Sequence, residues 1–383
     1  MLSGYNRCEI MDTQSTRRQF LQQSLCAAAA GILPWSAIKA AAEEDVSGPG
    51  SLRAHAQAHG LLVGCAVVPE KLADEAPYAN TVAQQANLLV AENAMKWQAL
   101  RPAPDKYNFA PADAILAFAN AHGQRLRGHN LCWHEALPDW FQATATRENA
   151  RHLLTDHIQH VAGHFAGNLH SWDVVNEAID IKDGRPDGLR KSPWLELVGP
   201  DYIEIAFRTA HKADSKALLT YNDYGIELDT PEQKQKRAQV LALVKRLKSQ
   251  HVPIQAVGIQ SHLTAGEDTP GAGLREFIRE LRAMDMQVFI TELDVSDHKL
   301  SGSAAERDAA VARLYGDYLN LVLAEPNVKA VLTWGITDKY TWLNHQHRRS
   351  DGQQQRCLPF DAEYQPTLVF FAMRDALDAR RRA

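Results

Sequence analysis

From Leu61 onward, short apolar runs alternate with longer amphipathic stretches. The runs start at Leu61 (LLVGCAVV), Leu88 (LLVAEN), Arg125 (RLRGHN), His170 (HSWDVVNE), Ala217 (ALLTYND), Ala256 (AVGIQSH), Gln287 (QVFITELDV) and Ala330 (AVLTWGI). Several are apolar at both odd and even positions, as strands covered on both faces must be. Between them, Arg147 to Phe165 sets Leu154, Ile158 and Val161 at helical spacing, and Glu232 to Leu247 does the same with Val240, Leu243, Val244 and Leu247. Pro231-Glu232 suits the first turn of that second helix. Strand-then-helix units in this number predict an α/β fold, a (β/α)8 TIM barrel forming a single domain over residues 61–383. No Gly-, Ser- or Pro-rich linker divides the stretch, and no GxGxxG or phosphate loop opens a helix.

The first residues follow a different pattern. Thr16-Arg17-Arg18-Gln19-Phe20-Leu21 precedes an Ala-rich apolar run from Leu25 to Ala42, interrupted by Pro34 and Lys39. A charged start, a modest apolar middle and small residues near the end predict a cleaved export signal over 1–42, of the twin-arginine type, with 43–60 as a lead-in. The run is too short and too interrupted for a membrane span. The expected location is therefore periplasmic or extracellular, with no membrane attachment after the signal is removed.

Composition adds bounds. Hydrophobic content of 45% and charged content of 23% suit a globular protein with a sizeable core. A net charge of −5 with both signs interspersed leaves no footprint for nucleic acid. Cys65, Cys132 and Cys357 lack zinc or CxxC spacing, and a Cys132–Cys357 disulfide stays open in an oxidising compartment.

In such a barrel the C-terminal strand ends face the active-site mouth. Glu92, Asn93, Lys96 and Trp97 follow the second strand; His129, Asn130, Trp133 and His134 the third. Asn176 and Glu177 end the fourth, Asn222, Asp223 and Tyr224 the fifth, Gln260 and His262 the sixth. Glu292 and Asp294 end the seventh, and Trp334 and Trp342 follow the eighth. Each group alone has a packing explanation; their concentration on one face points to a site. Gln260 and His262 are two apart and share a face, as do Glu292 and Asp294, so His262 is expected within reach of Glu292 with Asp294 orienting its other nitrogen. A nearby imidazole favours an ionised Glu292, whereas Glu177 has no adjacent cation and is expected to be desolvated by Trp172 or a mouth tryptophan. Two carboxyls with pKa values pushed apart are the usual pair for glycosidic cleavage. Trp97, Trp133, Trp140, Trp334 and Trp342, all near strand ends, are expected to offer flat faces for sugar C–H surfaces.

The ordered motifs AENAMKW, RGHNLCWH, WDVVNEAID, YNDY, GIQSHL, ITELDV and TWGITDKYTWL, spread from Leu61 to Leu377, resemble those of glycoside hydrolase family 10, the endo-β-1,4-xylanases. The resemblance implies a retaining hydrolase of xylan and xylo-oligosaccharides that needs no cofactor and no metal, with a monomer expected. It implies Glu177 as acid/base and Glu292 as nucleophile, supported by His262 and Asp294, with carboxyls about 5–5.5 Å apart. Asn176 would bind the 2-hydroxyl of the sugar at the cleavage point, with Lys96, His129, Trp133, Gln260 and Trp334 around it. Glu92 and Asn93 would serve the neighbouring glycone subsite, Trp342 the cleft roof, and Tyr224 an aglycone platform. Three positions depart from the pattern: Gly225 where Asn often follows the tyrosine, Cys132 where an aliphatic residue is usual, and a polar loop from His345 to Cys357.

Two other classes compete. A metal-dependent barrel hydrolase would use His129, His134, His262 and nearby acids, but those histidines lack HxH or HExxH spacing. A non-catalytic glycan-binding barrel would need a lost carboxylate or a blocked cleft.

Overall fold

The computed structural model describes residues 45–380, so the export signal expected over 1–42 lies outside the described residues. Among the described residues nine strands follow one another: β1 (Leu62–Val67), β2 (Leu88–Ala91), β3 (Arg125–Cys132), β4 (Ser171–Asn176), β5 (Leu218–Asp223), β6 (Ala256–Ile259), β7 (His262–Thr264), β8 (Gln287–Ser296) and β9 (Val328–Thr333). All pair in parallel, β1 pairs with β9, and β6 pairs with β8. That closes an eight-stranded barrel with helices between the strands, as the alternation predicts. The ninth strand, β7, is a short addition beside the end of β8, with His262 opposite Asp294. It replaces the tail of the expected sixth strand: β6 stops at Ile259, and Ser261 turns with φ +69° before the chain resumes.

The two-faced apolar pattern is accounted for by two separate cores. Leu89 and Ala91 of β2, Ile290 of β8 and Val331 of β9 face outward and pack with the helices in one large cluster. Leu88 and Val90, Phe289, and Ala330 and Leu332 of the same strands meet inside the barrel, capped by Trp334 toward the mouth. Alternating side chains therefore fill both layers, which keeps the strands fully buried. Gly128 of β3 serves the outer layer: a Cβ there would lie 2.0 Å from the ring of Trp172, so only glycine admits that tryptophan between strand and helix.

The expected helices span Ala150–His164 and Pro231–Ser249, the latter capped by the Thr230 side chain. Ser303 and Glu306 form a capping box at the start of Ala304–Leu323, satisfying N–H groups that the first turn leaves unpaired. Helix Leu52–Ala58, ahead of β1, adds Leu52 and Ala56 to the outer core.

The cysteine bridge left open by the sequence is absent. Cys65, Cys132 and Cys357 are buried free thiols. Cys132 packs in the outer core, whereas Cys357 lies under the last loop, its thiol against Thr341 Oγ1 at 3.4 Å.

Candidate active site

Along the C-terminal strand ends runs a cleft of about 840 Å³. It is lined by Glu92, Asn93, Lys96, His129, Trp133, Asn176, Glu177, Tyr224, Gln260, His262, Glu292, Trp334 and Trp342. Every residue that the family resemblance places in the site is thus in the cleft wall except Asp294, which is fully buried behind His262 and Trp342; of the other strand-end candidates, Trp97, Asn130, His134, Trp140, Asn222 and Asp223 are not in its lining.

Glu177 is the residue after β4, and its φ of +58° puts a non-glycine residue in the left-handed region. That conformation costs roughly 1–2 kcal/mol. Two contacts hold it: the Glu177 N–H donates to Asn222 O (2.9 Å) and Arg190 Nε donates to the Glu177 carbonyl (2.8 Å). Its carboxylate accepts Trp133 Nε1–H at 2.8 Å on Oε2, and Gln260 Nε2 at 2.8 Å and Asn176 Nδ2 at 3.1 Å on Oε1. Burial raises its pKa, the charges of Asp223 and Glu292 add to the rise, and the donors from Gln260 and Trp133 only partly offset it.

Glu292 lies on β8 and meets a different set of partners. His262 Nε2 is 3.3 Å from Oε2, and Asn222 Nδ2 donates to Oε1 at 2.8 Å. Burial alone would raise its pKa, but the His262 hydrogen bond, the charges of His129 and His262, and the Asn222 donor outweigh it and hold the carboxylate well below the usual range. His262 in turn has Nδ1 2.9 Å from Asp294 Oδ1; burial works against its charge, yet the two carboxylates keep the imidazolium protonated well above its ordinary range. Trp342 Nε1–H donates to Asp294 Oδ2 at 2.7 Å, so a cleft-lining tryptophan and His262 share one carboxylate.

Asn222 joins the two halves. Its amide donates to Glu292 and to Asn176 Oδ1 (2.9 Å), and Thr291 Oγ1 donates to its carbonyl oxygen at 2.8 Å. A Cβ on Gly258 would stand 2.1 Å from that oxygen, so the glycine is what leaves room for the amide. The strand-end pattern contains Asn222, but only the register, which sets Asn176 beside it, reveals the bridge.

At the opposite wall Lys96 donates to Asn93 Oδ1 at 2.8 Å, and its ammonium lies 5.3 Å from the Trp133 ring and 5.9 Å from that of Trp334. Burial lowers the lysine's pKa against the pull of Glu292 and Glu92. Burial likewise raises that of Glu92, which accepts from Asn93. His129 Nδ1 is 3.0 Å from Asp173 Oδ2, and Asp173 also takes Arg127 inside the barrel. This buried chain below His129 escaped the sequence reading, because interior polar residues of a strand look the same as exposed ones.

Three tryptophans considered for the site do not belong to the cleft. Trp97 is buried 3.8 Å from the stacked ring of His157 and 5.0 Å from that of Trp194. Trp140 Nε1–H donates to Arg101 O, away from the mouth. Trp172 packs against Phe165 in the outer layer and does not line the cleft; the mouth tryptophan that reaches Glu177 is Trp133, as a hydrogen-bond donor. All three lie in or against the outer core instead.

At the end of the cleft beyond β5 Tyr224 is 40% exposed, its hydroxyl takes Arg190 at 3.1 Å, and Lys236 lies 4.1 Å from its ring. Gly225 (φ +66°), Glu227, Leu228, Gln233 and Asp268 extend that wall. At the other end His345, Gln346 and His347 of the polar loop line the cleft. The loop is pinned from below: Gln355 Nε2 donates to Leu343 O (2.9 Å) and His347 O (2.6 Å). Among the described residues no group of three or more His, Cys, Asp and Glu is arranged to hold a metal ion. His129 and His262 are engaged with carboxylates, and His134 lies in a small space beside Glu177 and Arg190.

Comparison with known proteins gives a consistent result. The family model described as "Glycosyl hydrolase family 10" matches residues 51–376. An "Endo-1,4-beta-xylanase A" of Thermoanaerobacterium saccharolyticum is 36% identical over 328 residues, covering 82% of this chain but 26% of that protein. A "Beta-1,4-xylanase" of Dictyoglomus thermophilum is 35% identical over 302 residues, covering 77% of this chain and 83% of that protein. The crystal structure of a xylanase from Thermotoga petrophila in complex with xylobiose superposes with a TM-score of 0.79 at 34% identity, covering 86% of this chain and 97% of that one.

Proposed function

The chain belongs to glycosyl hydrolase family 10, and we propose that it is a retaining endo-1,4-β-xylanase acting by double displacement, with Glu177 as acid/base and Glu292 as nucleophile. The observation that carries this reading is the pair of buried carboxyls in one cleft whose partners drive their pKa values in opposite directions. A group that keeps its proton beside one that loses it early is what the first step requires.

In that step the Glu177 proton passes to the glycosidic oxygen, the C–O bond breaks, and a Glu292 oxygen bonds to the anomeric carbon. In the second, Glu177, now a carboxylate, takes a proton from water, whose oxygen displaces Glu292 and restores the original configuration. The imidazolium of His262 and the amide of Asn222 fix the attacking carboxylate. Asn176, bonded to both Glu177 and Asn222, is set to bind the 2-hydroxyl of the reacting sugar, with Lys96, His129, Gln260, Trp133 and Trp334 around it. Glu92 and Asn93 would take the next glycone unit, Trp342 the roof, and Tyr224 the aglycone.

Relatives named as xylanases, and the xylobiose bound to one of them, support xylan as the substrate class. Export through the paired-arginine signal and action as a monomer complete the proposal. The test is hydrolysis of linear xylo-oligosaccharides followed by proton NMR: the β-anomer is expected first, and initial release of the α-anomer would refute retention. Binding of xylan without release of reducing ends would favour a glycan-binding barrel.

A further inference from the structure

We propose that Glu227 is a positioning residue for both carboxyls, acting through the turn Gln260–Ser261–His262; this rests on the reading of Glu177 and Glu292 given above. The turn is where β6 breaks, and its two flanking side chains serve different partners. Gln260 Nε2 donates to Glu177, while His262 pairs with Glu292 and Asp294. Between them Ser261 stands at φ +69°, a conformation its own side chain does not favour.

Glu227 holds that conformation. It is 3% exposed and lines the cleft, and its carboxylate accepts from backbone N–H groups. Oε1 accepts the Ser261 N–H at 3.1 Å and Oε2 the Ile226 N–H at 2.7 Å. Ser261 is braced again by its hydroxyl, 2.6 Å from Tyr318 OH, and its carbonyl accepts the Asp294 N–H. Burial raises the pKa of Glu227, and the backbone donors of Ser261 and Ile226, with Lys236 (itself paired with Asp223 at 2.7 Å), offset this in part. A carboxylate is a stronger acceptor for a backbone N–H than a neutral group, so it can hold a turn the serine alone would relax. Loss of Glu227 frees the Ser261 N–H, and Gln260 and His262 swing together. A residue that touches neither carboxyl thereby sets the geometry of both.

The experiment compares E227A, E227Q and E227D in the full chain. For E227A, kcat on xylo-oligosaccharides is expected to fall about 10- to 100-fold, the cost of a displacement on the order of 1 Å, with KM little changed. The alkaline limb of kcat/KM should move, and the imidazole NMR signals of His262 should shift in the protein without substrate. E227Q keeps one acceptor for the Ser261 N–H but lacks the charge and sets its NH2 against the Ile226 N–H, so it should recover only part of the rate. Parent-like pH limbs and His262 signals in a folded E227A, with only a lower Tm, would overturn the proposal. If E227A does not fold, E227D carries the test: an unshifted His262 signal there overturns it equally. Failure of the underlying reading looks different, because E292Q would then keep turning over xylan while the His262 signals still report on the turn.

Discussion

His262 and Asp294 face each other across the β7–β8 pairing, Nδ1 to Oδ1 at 2.9 Å, and this contact sets the charge on the far side of the ring. With Nδ1–H held by Asp294, Nε2 points at Glu292 and carries a proton toward it. Asp294→Asn keeps the shape but removes the counter-charge, so the imidazolium loses its main support and Glu292 its ionising neighbour. The acidic limb of kcat/KM should move to higher pH, and kcat should fall about 10- to 100-fold, the worth of a hydrogen bond to a charged group. A pH–rate series on both proteins checks the direction; an unmoved acidic limb would contradict this account of Glu292.

The alkaline limb has a separate handle. Glu177 must be protonated for the first step, and Trp133 Nε1–H, by donating to Oε2, stabilises its ionised form against the effect of burial. Removing the donor in Trp133→Phe raises the pKa further, so activity should persist to higher pH even as the rate itself drops. The acidic limb, which reports Glu292, should stay. A downward shift of the alkaline limb would mean that exposure to water outweighs the lost donor.

Gly258→Ala tests the amide bridge from outside it. The added methyl group would collide with Asn222 Oδ1 at 2.1 Å and crowd Thr291 Cγ2 at 2.9 Å, pushing the amide off Glu292 and Asn176. The expected result is a fall in kcat of about 10-fold or more in a protein that still folds, since orientation of the attacking group is lost while the barrel closes around the same core. A crystal structure of the variant would report the Asn222 rotamer directly.

The barrel was legible because its strands are apolar on both faces, and each face proved to have its own core. Strand ends were legible as well, and parity together with the adjacency of the sixth and seventh strands anticipated His262 beside Glu292 and Asp294, although the strand that the parity assumed is broken at Ser261. What parity could not supply was direction off the strand. Trp97 and Trp140 sit close to the mouth in sequence and Trp172 at the start of β4, and all three pack in or against the outer layer, because a tryptophan satisfies a core as readily as a cleft. Asn222 and the buried Arg127–Asp173–His129 chain needed the register between strands, and the kink at Ser261 depends on Glu227, which is distant in sequence. Local pattern carries no signal for contacts of that kind.

Asp338, beneath the last loop, ties stability to pH. Its Oδ1 accepts the N–H groups of Cys357 and Leu358, and burial lifts its pKa to about 7 despite them. The folded pKa thus exceeds the unfolded value of about 4, so the folded state favours the protonated carboxyl. This contribution is full below about pH 4 and is lost as pH rises toward 7. Asp338→Asn keeps an oxygen for both N–H groups and cannot ionise. Its Tm should match the parent near pH 4 and exceed it at pH 8, as thermal unfolding at the two pH values would record. An equal Tm at pH 8 would mean that Asp338 stays ionised at little cost.

The division of labour between the two carboxyls predicts opposite products on chemical rescue. Without the Glu177 carboxyl, an aryl β-xyloside with a good leaving group can still be attacked by Glu292, because that leaving group needs no proton. The intermediate then accumulates for lack of a base, and azide, which needs none, should release it as the β-xylosyl azide from Glu177→Ala. Without the Glu292 carboxylate no intermediate forms, and azide in the vacated space attacks the substrate itself, so Glu292→Ala should yield the α-xylosyl azide. Both variants should lose xylan hydrolysis by several orders of magnitude, about the scale seen when a group central to covalent catalysis is removed. Product configuration by NMR decides the matter: the same anomer from both variants would show that Glu177 and Glu292 do not stand on opposite faces of the sugar ring.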